Sequence, residues 1–370
     1  MVSNKKMIST HCRNYAIVPK DPPNNGILFV DHSRIGRSGH LGHALVEYED
    51  NKILAFYPNC SDDKEGHSAI GWMEYKRSEN GGITWSEAYT LDYSRELFNE
   101  KKGVSSFSEK AVRASDGTIV LFNLVCDISS NAGWEPFLIP TCIKSRDGGH
   151  TWTKARNLSD KRGRIYDAIF HGEEIFVLEF CNDATDTWTG NAESHIYCLY
   201  VSDDYGNSFT RRSEIPLATY GRGYGTMEVL RDGSIIVYVY NINDEKNPDY
   251  IISKDRGYTW SDTGTSYFVK KIRNPQMVHI GDYYFMHGRS GNSGEASGNF
   301  VLYSSMDGMT WDAGTYLRMQ EAGHGSYSNS LVTGTLNPDK SKKLLIQSSH
   351  AYEGNKTNIL HWWIENISGA

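Results

Sequence analysis

One eight-residue motif recurs five times along the chain and limits the possible folds more than any other feature. The copies are SENGGITW, SRDGGHTW, SDDYGNSF, SKDRGYTW and the shorter SMDGMTW, and they end at Trp85, Trp152, Phe209, Trp260 and Trp311. Successive terminal aromatics lie 51 to 67 residues apart. In each copy the Asp or Asn can accept backbone N–H groups, and the Gly can adopt positive φ. We interpret the motif as a structural hairpin turn, because it lacks the ligand series of a calcium loop.

A second repeat fills the intervals between these motifs. It consists of a strand, a short turn and an apolar strand, and it occurs six times, for example as HALVEYEDNKILAFY. Four short strands at this period are typical of a propeller blade of about 40–50 residues. The sequence therefore predicts an all-β protein, with residues 1–370 forming one six-bladed β-propeller domain. Residues 1–25 are the expected N-terminal extension, and AIVPK or GILFV nearby is expected to supply the strand that closes the ring.

Composition agrees with this fold and excludes several classes of function. Aromatic residues make up 12% of the chain, with 35 Gly and 10 Pro, which suits pleated sheets joined by tight turns. A net charge of −7 opposes a nucleic-acid partner. No apolar run approaches the roughly 18 residues of a membrane span. We therefore expect neither a nucleic-acid nor a membrane partner.

The cysteines and the N-terminus bear on the cellular compartment. The six cysteines include no Cys-x-x-Cys pair, and we predict buried free thiols. The N-terminal stretch MVSNKKMISTHCRN lacks the apolar centre of a secretory signal. This predicts a cytoplasmic protein, whereas a chain whose signal had been removed would be secreted or periplasmic.

The eight-residue motif resembles the Asp-box, S-x-D-x-G-x-x-W, of the sialidase-like superfamily. The resemblance covers about residues 30–370. It implies a six-bladed propeller, in a superfamily that contains hydrolases, lyases and non-enzymatic propellers. The motifs join third and fourth strands, so the opposite rim, where first strands begin, is the candidate functional face. A carbohydrate is the expected partner, and we expect no cofactor and no metal.

Tyr327 is the first candidate catalytic residue on that rim. Tyr327-Ser328 matches the Tyr-Ser of the sialidase nucleophile strand, so the resemblance implies that Tyr327 is the nucleophile or stacks on a sugar. A neutral tyrosine avoids the repulsion between a carboxylate nucleophile and an acidic substrate. Counting without gaps from the Asp-Gly turn of blade four puts Tyr224 where sialidases have the glutamate that activates the nucleophile. We predict Glu228 or Asp167 as the base and Asp63 as the acid/base residue.

Arginines facing the substrate carboxylate are the second requirement that the resemblance implies. Arg289 falls at the position of the third family arginine. Leu41 occupies the first position, with Arg34 and Arg37 upstream as substitutes, and Tyr240 lies near the second position.

Histidines provide a further signal, because six of the 13 map to the same rim. Histidine is the usual proton-transfer residue near neutral pH. We predict that His43 and His67 are catalytic. The other predicted substrate-binding residues, beside Arg289, are His40, His287, His324, His350, Tyr224, Asn59 and Arg222.

Three functions fit these residues. The preferred hypothesis is an exo-acting glycoside hydrolase with a narrow aromatic-lined pocket for an acidic or related glycoside. The first alternative is a lyase that cleaves a uronate polysaccharide by β-elimination, with His43 and His67, Tyr224 or Tyr327, and Arg289 neutralising the carboxylate. The second alternative is a non-catalytic propeller that binds glycans.

Overall fold

Six antiparallel β-sheets make up the protein. The computed structural model describes residues 6–7, 14–18, 26–61, 70–101, 103–127, 137–182, 195–291, 298–319, 327–354 and 356–366. Five sheets have four strands, each from one continuous stretch of chain, and the last sheet combines N-terminal and C-terminal strands. Among the described residues, no helix is long and apolar enough to cross a membrane.

The strands follow one another blade by blade. The N-terminal segment contains β1 (Lys6–Met7), β2 (Tyr15–Val18) and β3 (Ile27–Val30), followed by a 3-10 helix at His32–Ile35. Blade one contains β4 (Ala44–Glu49), β5 (Lys52–Cys60), β6 (Gly71–Ser78) and β7 (Tyr89–Thr90), followed by α1 (Asp92–Glu100). Blade two contains β8 (Val104–Arg113), β9 (Ile119–Asp127), β10 (Thr141–Ser145) and β11 (Arg156–Asn157). Blade three contains β12 (Gly163–His171), β13 (Glu174–Cys181), β14 (Ile196–Ser202) and β15 (Thr210–Ile215). Blade four contains β16 (Arg222–Val229), β17 (Ile235–Asn241), β18 (Asp249–Ser253) and β19 (Ser261–Thr265). Blade five contains β20 (Arg273–Ile280), β21 (Tyr283–Ser290), β22 (Asn299–Ser305) and β23 (Thr315–Arg318). Blade six contains β24 (Ser328–Thr333), β25 (Lys343–Glu353) and β26 (Lys356–Asn366).

The first strand of each blade lines the centre of a closed ring. β4, β8, β12, β16, β20 and β24 contact one another in this order, and β24 contacts β4 again. Six clusters of buried apolar side chains lie between neighbouring blades. The core is therefore a set of sheet-on-sheet contacts around the ring, and the predicted six-bladed β-propeller is confirmed.

The N-terminal segment closes the ring. β2 pairs with β26, with Tyr15 opposite Asn366, and β3 pairs with the same strand, with Ile27 opposite His361. Both ends of the chain thus share one sheet, and the predicted closing strand is confirmed. Five cysteines are buried free thiols, as predicted: Cys60, Cys126, Cys142, Cys181 and Cys198. Cys12 lies outside the described residues.

The eight-residue motifs form the turns after the third strands of blades one to five. After β10, the backbone N–H of Gly149 donates to Ser145 Oγ over 2.7 Å, and that of Thr151 donates to Asp147 Oδ1 over 2.9 Å. The same two bonds recur in the other four copies. The hydroxyl of Thr151 also donates to Asp147, and these bonds lower the pKa of Asp147. The motif is a structural turn, as predicted.

A buried polar network joins the inner strands across the centre. Lys110 Nζ of β8 lies 2.8 Å from Asp167 Oδ1 of β12, and it donates to Asn329 Oδ1 of β24 over 2.8 Å. The network continues to blades five, four and one through Gln276, Thr226 and the carbonyl of His43. The innermost strands are therefore held together by charged and polar bonds, and the apolar clusters lie outside them.

Candidate active site

The inner strands of blades two to five each contain a β-bulge. The bulged residues are Glu109 in β8, Tyr166 in β12, Tyr224 in β16 and Asn274 with Pro275 in β20. A bulge re-aims the side chain that it contains. All of these residues line one pocket, together with Tyr327 just before β24. Irregular backbone at corresponding places in four blades therefore creates the pocket.

Two tyrosines and an arginine form the centre of the pocket. The hydroxyls of Tyr224 and Tyr327 lie 2.9 Å apart, and Arg164 Nη1 donates to Tyr224 Oη over 3.2 Å. The Arg164 guanidinium also lies 4.8 Å from the centre of the Tyr224 ring and 5.4 Å from that of Tyr327. The arrangement can stabilise negative charge on either phenol oxygen.

Glu109 fixes the position of Arg164. Arg164 Nη2 donates to Oε2 of Glu109 over 2.8 Å and to Oε1 over 3.1 Å, and Nε donates to Oε2 over 3.2 Å. Burial opposes the positive charge on Arg164, but the Glu109 carboxylate, together with Tyr224 and Tyr327, more than offsets it, so the pKa of Arg164 is raised. Arg164 therefore stays protonated beside the tyrosine pair.

Blade five contributes two more guanidinium groups. Arg273 Nη2 donates to Tyr240 Oη over 2.9 Å, and Arg273 Nε lies 3.3 Å from Glu245. Arg289 is buried, and burial followed by repulsion from Arg273 lowers its pKa. Both arginines, like Arg164, interact electrostatically with Tyr327. Three cations around one phenol favour the binding of an anion.

Two of the rim histidines, His43 and His287, are buried and neutral. His43 lines the pocket, and burial lowers its pKa to about 3. His287 Nδ1 lies 3.1 Å from Ser328 Oγ, and burial lowers the pKa of His287 to about 3 as well. His43 and His287 are therefore poor proton carriers near neutral pH. The His40 ring packs edge-on against Tyr327, with centroids 4.8 Å apart.

The two predicted bases for Tyr327 do not contact it, and this part of the prediction needs correction. Asp167 belongs to the central network, where Lys110 Nζ, Thr226 Oγ1 and two backbone N–H groups surround its carboxylate. Glu228 lies at the far end of β16 and accepts the backbone N–H groups of Val229 and His279. The strands are those predicted, but these two side chains point away from the pocket.

Other predicted residues have partners elsewhere or lie beyond the described part of the chain. Asn59 binds Arg37 and Glu74, and Arg222 binds Asp249. Burial lowers the pKa of His350 to about 4, and the charge of Arg318 adds to this effect. Asp63, His67 and His324 lie outside the described residues.

Sequence reasoning missed Arg164, Glu109 and Asn274 as pocket residues, and it missed Arg273 as the cation next to Asn274. Arg164 and Arg273 were recognisable as charged residues at the start of inner strands, on the predicted rim. The family pattern instead predicts the first and second arginines in blades one and four. Arg34 and Arg37, the proposed substitutes, bind Asp31 and Asn59. Tyr240 lies near the position where the family has its second arginine, and its hydroxyl accepts a hydrogen bond from the Arg273 guanidinium. The positive charge at this place therefore comes from blade five.

No cluster of three or more His, Cys, Asp and Glu side chains suited to a metal ion occurs in the described ranges. The pocket itself offers a ligand phenols, the Arg164 guanidinium, the Arg164-bound carboxylate and carboxamide side chains.

Glu179, a buried carboxyl in β13, predicts how stability depends on pH. Burial raises its pKa from 4.5 to about 8, although Ser159 Oγ donates to Oε1 over 3.1 Å. Between these two values the folded state binds a proton that the unfolded state has released, so stability falls as the pH rises. We expect a loss of about 4 kcal/mol from this group between pH 4.5 and pH 8. The free energy of unfolding, measured in urea at a series of pH values across this range, should fall less for Glu179→Gln than for the wild type. An equal fall with pH in the two proteins would contradict the assignment.

Comparisons with known proteins agree with the propeller. No protein-family model matches the chain, and no curated protein matches its sequence. A protein of unknown function from Dyadobacter fermentans aligns with a TM-score of 0.67 at 13% identity, over 92% of this chain and 97% of that one. The intramolecular trans-sialidase from Ruminococcus gnavus aligns with a TM-score of 0.63 at 12% identity, over 93% and 97%. An α-L-arabinanase from Penicillium chrysogenum aligns with a TM-score of 0.58 at 13% identity, over 94% and 99%. The chain is therefore a six-bladed β-propeller of the sialidase-like fold, similar in architecture to propellers that act on glycans.

Proposed function

We propose that this protein is an exo-acting glycoside hydrolase for a substrate with an acidic group, and that Tyr327 is its nucleophile. The observation that carries the proposal is the 2.9 Å contact between the hydroxyls of Tyr327 and Tyr224, with the Arg164 guanidinium 5.4 Å from the centre of the Tyr327 ring. The fold likeness to glycan-acting propellers supports a carbohydrate ligand.

The charges around the pocket support an acidic substrate. Arg273 and Arg289 repel each other, and burial already disfavours the charge on Arg289. An anion between them relieves the repulsion and forms charge-assisted hydrogen bonds. A neutral phenol next to that anion attacks without the repulsion that a carboxylate nucleophile would meet.

Tyr224 has a defined part in this mechanism. Arg164 donates to Tyr224 Oη and so stabilises Tyr224 as a phenolate. As Tyr327 Oη bonds to the anomeric carbon and the glycosidic bond breaks, the proton of Tyr327 passes to Tyr224 Oη over the 2.9 Å contact, and the leaving oxygen takes a proton from the acid/base residue. Tyr224 thereby takes the part of the glutamate expected at this position, and Arg164 offsets its charge. Asp63 stays the predicted acid/base residue.

A two-readout assay tests the proposal. The protein is incubated with sialosides, other acidic glycosides and uronate polysaccharides. Released reducing sugar and the ultraviolet absorbance of a new C=C bond conjugated to a carboxylate are then measured. We expect sugar release without absorbance. Absorbance that rises with cleavage would contradict hydrolysis, and no signal on any substrate would favour a non-catalytic glycan-binding propeller.

One observation favours the lyase as a second candidate. Glu109 is the single carboxylate among the described residues that line the pocket, and Arg164 binds it on both oxygens. Glycosidases usually use two carboxylates, whereas β-elimination needs a base, an acid and a cation facing the uronate. Tyr327, Tyr224 and Arg289 supply such groups. His43 is too weak a base for the part predicted from the sequence, because its pKa is about 3.

A further inference from the structure

Asn274 presents an unsatisfied carboxamide to the candidate pocket. Its side chain is 6% exposed, and neither Oδ1 nor Nδ2 has a hydrogen-bond partner in the described part of the chain. Nearly all buried polar groups in folded proteins are paired, because an unpaired one costs free energy. Asn274 lines the same pocket as Tyr224 and Tyr327. Asn274 therefore borders the space that a ligand would occupy, and both ends of its buried amide are unpaired in the described part of the chain.

The backbone of Asn274 is also strained. Its φ is 52°, in the bulge of β20 directly before Pro275. A residue before proline favours extended backbone, and positive φ is uncommon for any residue other than glycine. Tyr224, also in the pocket, has a φ of 32°. Strain of this kind clusters at ligand-binding sites.

The chemistry of a carboxamide indicates what it binds. Oδ1 accepts hydrogen bonds and Nδ2 donates them. A carboxylate or phosphate offers acceptors alone and would leave Oδ1 unpaired. A hydroxyl both donates and accepts, so two neighbouring ring hydroxyls satisfy both ends of the amide. Arg273, the preceding residue, donates to Tyr240 Oη and interacts electrostatically with Tyr327.

We propose that Asn274 binds two neighbouring hydroxyls of the substrate ring and so selects a sugar acid over a simple carboxylate. This inference rests on the proposed function, because the arginines are taken to hold the acidic group. It assigns the two parts of recognition to different residues: charge to Arg273 and Arg289, and the hydroxyl pattern to Asn274.

Isothermal titration with matched probes tests the assignment. The probes are D-galacturonate and D-glucuronate, which carry neighbouring ring hydroxyls, and tetrahydropyran-2-carboxylate, which carries a ring and a carboxylate without hydroxyls. We expect Asn274→Ala to weaken the better-bound sugar acid about tenfold and to leave the tetrahydropyran affinity unchanged. Asn274→Asp, which has no donor, should also lose the preference. Equal losses for both kinds of probe, or no loss at all, would overturn the inference.

A stability comparison separates binding from a packing role. Asn274→Gly removes the unsatisfied amide and suits positive φ, so we expect the ligand-free Tm to stay the same or rise by a few degrees. The matched control is Asn329→Ala, because Asn329 is a buried amide bonded to Lys110 and His43, and this change should lower the Tm. A loss in Asn274→Gly as large as in the control would overturn the inference.

Different results would contradict the role of Asn274 and the proposed function. If the wild-type protein binds the sugar acids without an Asn274-dependent preference, the role of Asn274 is wrong and the proposed function stands. If it binds neither sugar acid and cleaves no acidic glycoside, the proposed function is wrong, and the role of Asn274 fails with it.

Discussion

Replacing Tyr327 with phenylalanine is expected to lower kcat by about 10³-fold or more on the substrate found in the two-readout assay. The change removes the oxygen that attacks. The aromatic ring remains and still packs against His40 and Tyr224, whose ring centroids lie 4.8 Å and 5.7 Å away. The Tm should therefore stay close to that of the wild type, and steady-state kinetics with thermal unfolding checks both expectations.

The matched control is Tyr267→Phe, because the Tyr267 side chain is 62% exposed and lies outside the pocket. It should leave kcat unchanged. A Tyr327→Phe enzyme within about fivefold of wild-type kcat would show that the tyrosine stacks on the sugar without reacting, since lost acid–base or nucleophilic groups cost far more.

Replacing Lys110 with methionine is expected to lower the free energy of unfolding by about 3–5 kcal/mol. Lys110 and Asp167 form a 2.8 Å ion pair whose side chains are 10% and 1% exposed. Methionine fills similar space but leaves the Asp167 charge buried and without its cation. Urea unfolding measures the loss, and a second change, Asp167→Asn, should recover part of it by removing that charge.

Lys343→Met is the control for this experiment. Lys343 and Glu365 also lie 2.8 Å apart, but their side chains are 44% and 25% exposed. Exposed pairs contribute little, so the loss should be about 0.5 kcal/mol. Equal losses in Lys110→Met and Lys343→Met would mean that the central network does not stabilise the ring.

The repeats were enough to predict the propeller because their interactions are local. In the turn after β10, Ser145 and Asp147 bond backbone groups only two to four residues away. Such bonds depend on residue type and short spacing, which the sequence displays directly. The closing strand was predictable for a similar reason, since its apolar residues lie close to the N-terminus and one outer strand was missing.

The arginines that interact with Tyr327 could not all be predicted from local spacing. Arg289 was predicted because it falls at the position of the third family arginine, near the end of the second strand of its blade. Arg164 and Arg273 begin inner strands of blades three and five, and only the bulges and the ring closure bring them to Tyr327. A bulge changes which face a side chain occupies, and the alternating pattern of a strand does not reveal it.

The sequence alone determined the fold class, the blade count and the turns, because each follows from spacing within a repeat, and the resemblance to the sialidase-like superfamily made Tyr327 a candidate. The tertiary structure decided which charges meet. It put Asp167 into the central network, turned Glu228 toward the opposite rim, and gathered Arg164, Tyr224 and Asn274 around Tyr327. The physical reason is that these contacts join blades about 50 to 160 residues apart in the chain, where local periodicity specifies neither register nor facing.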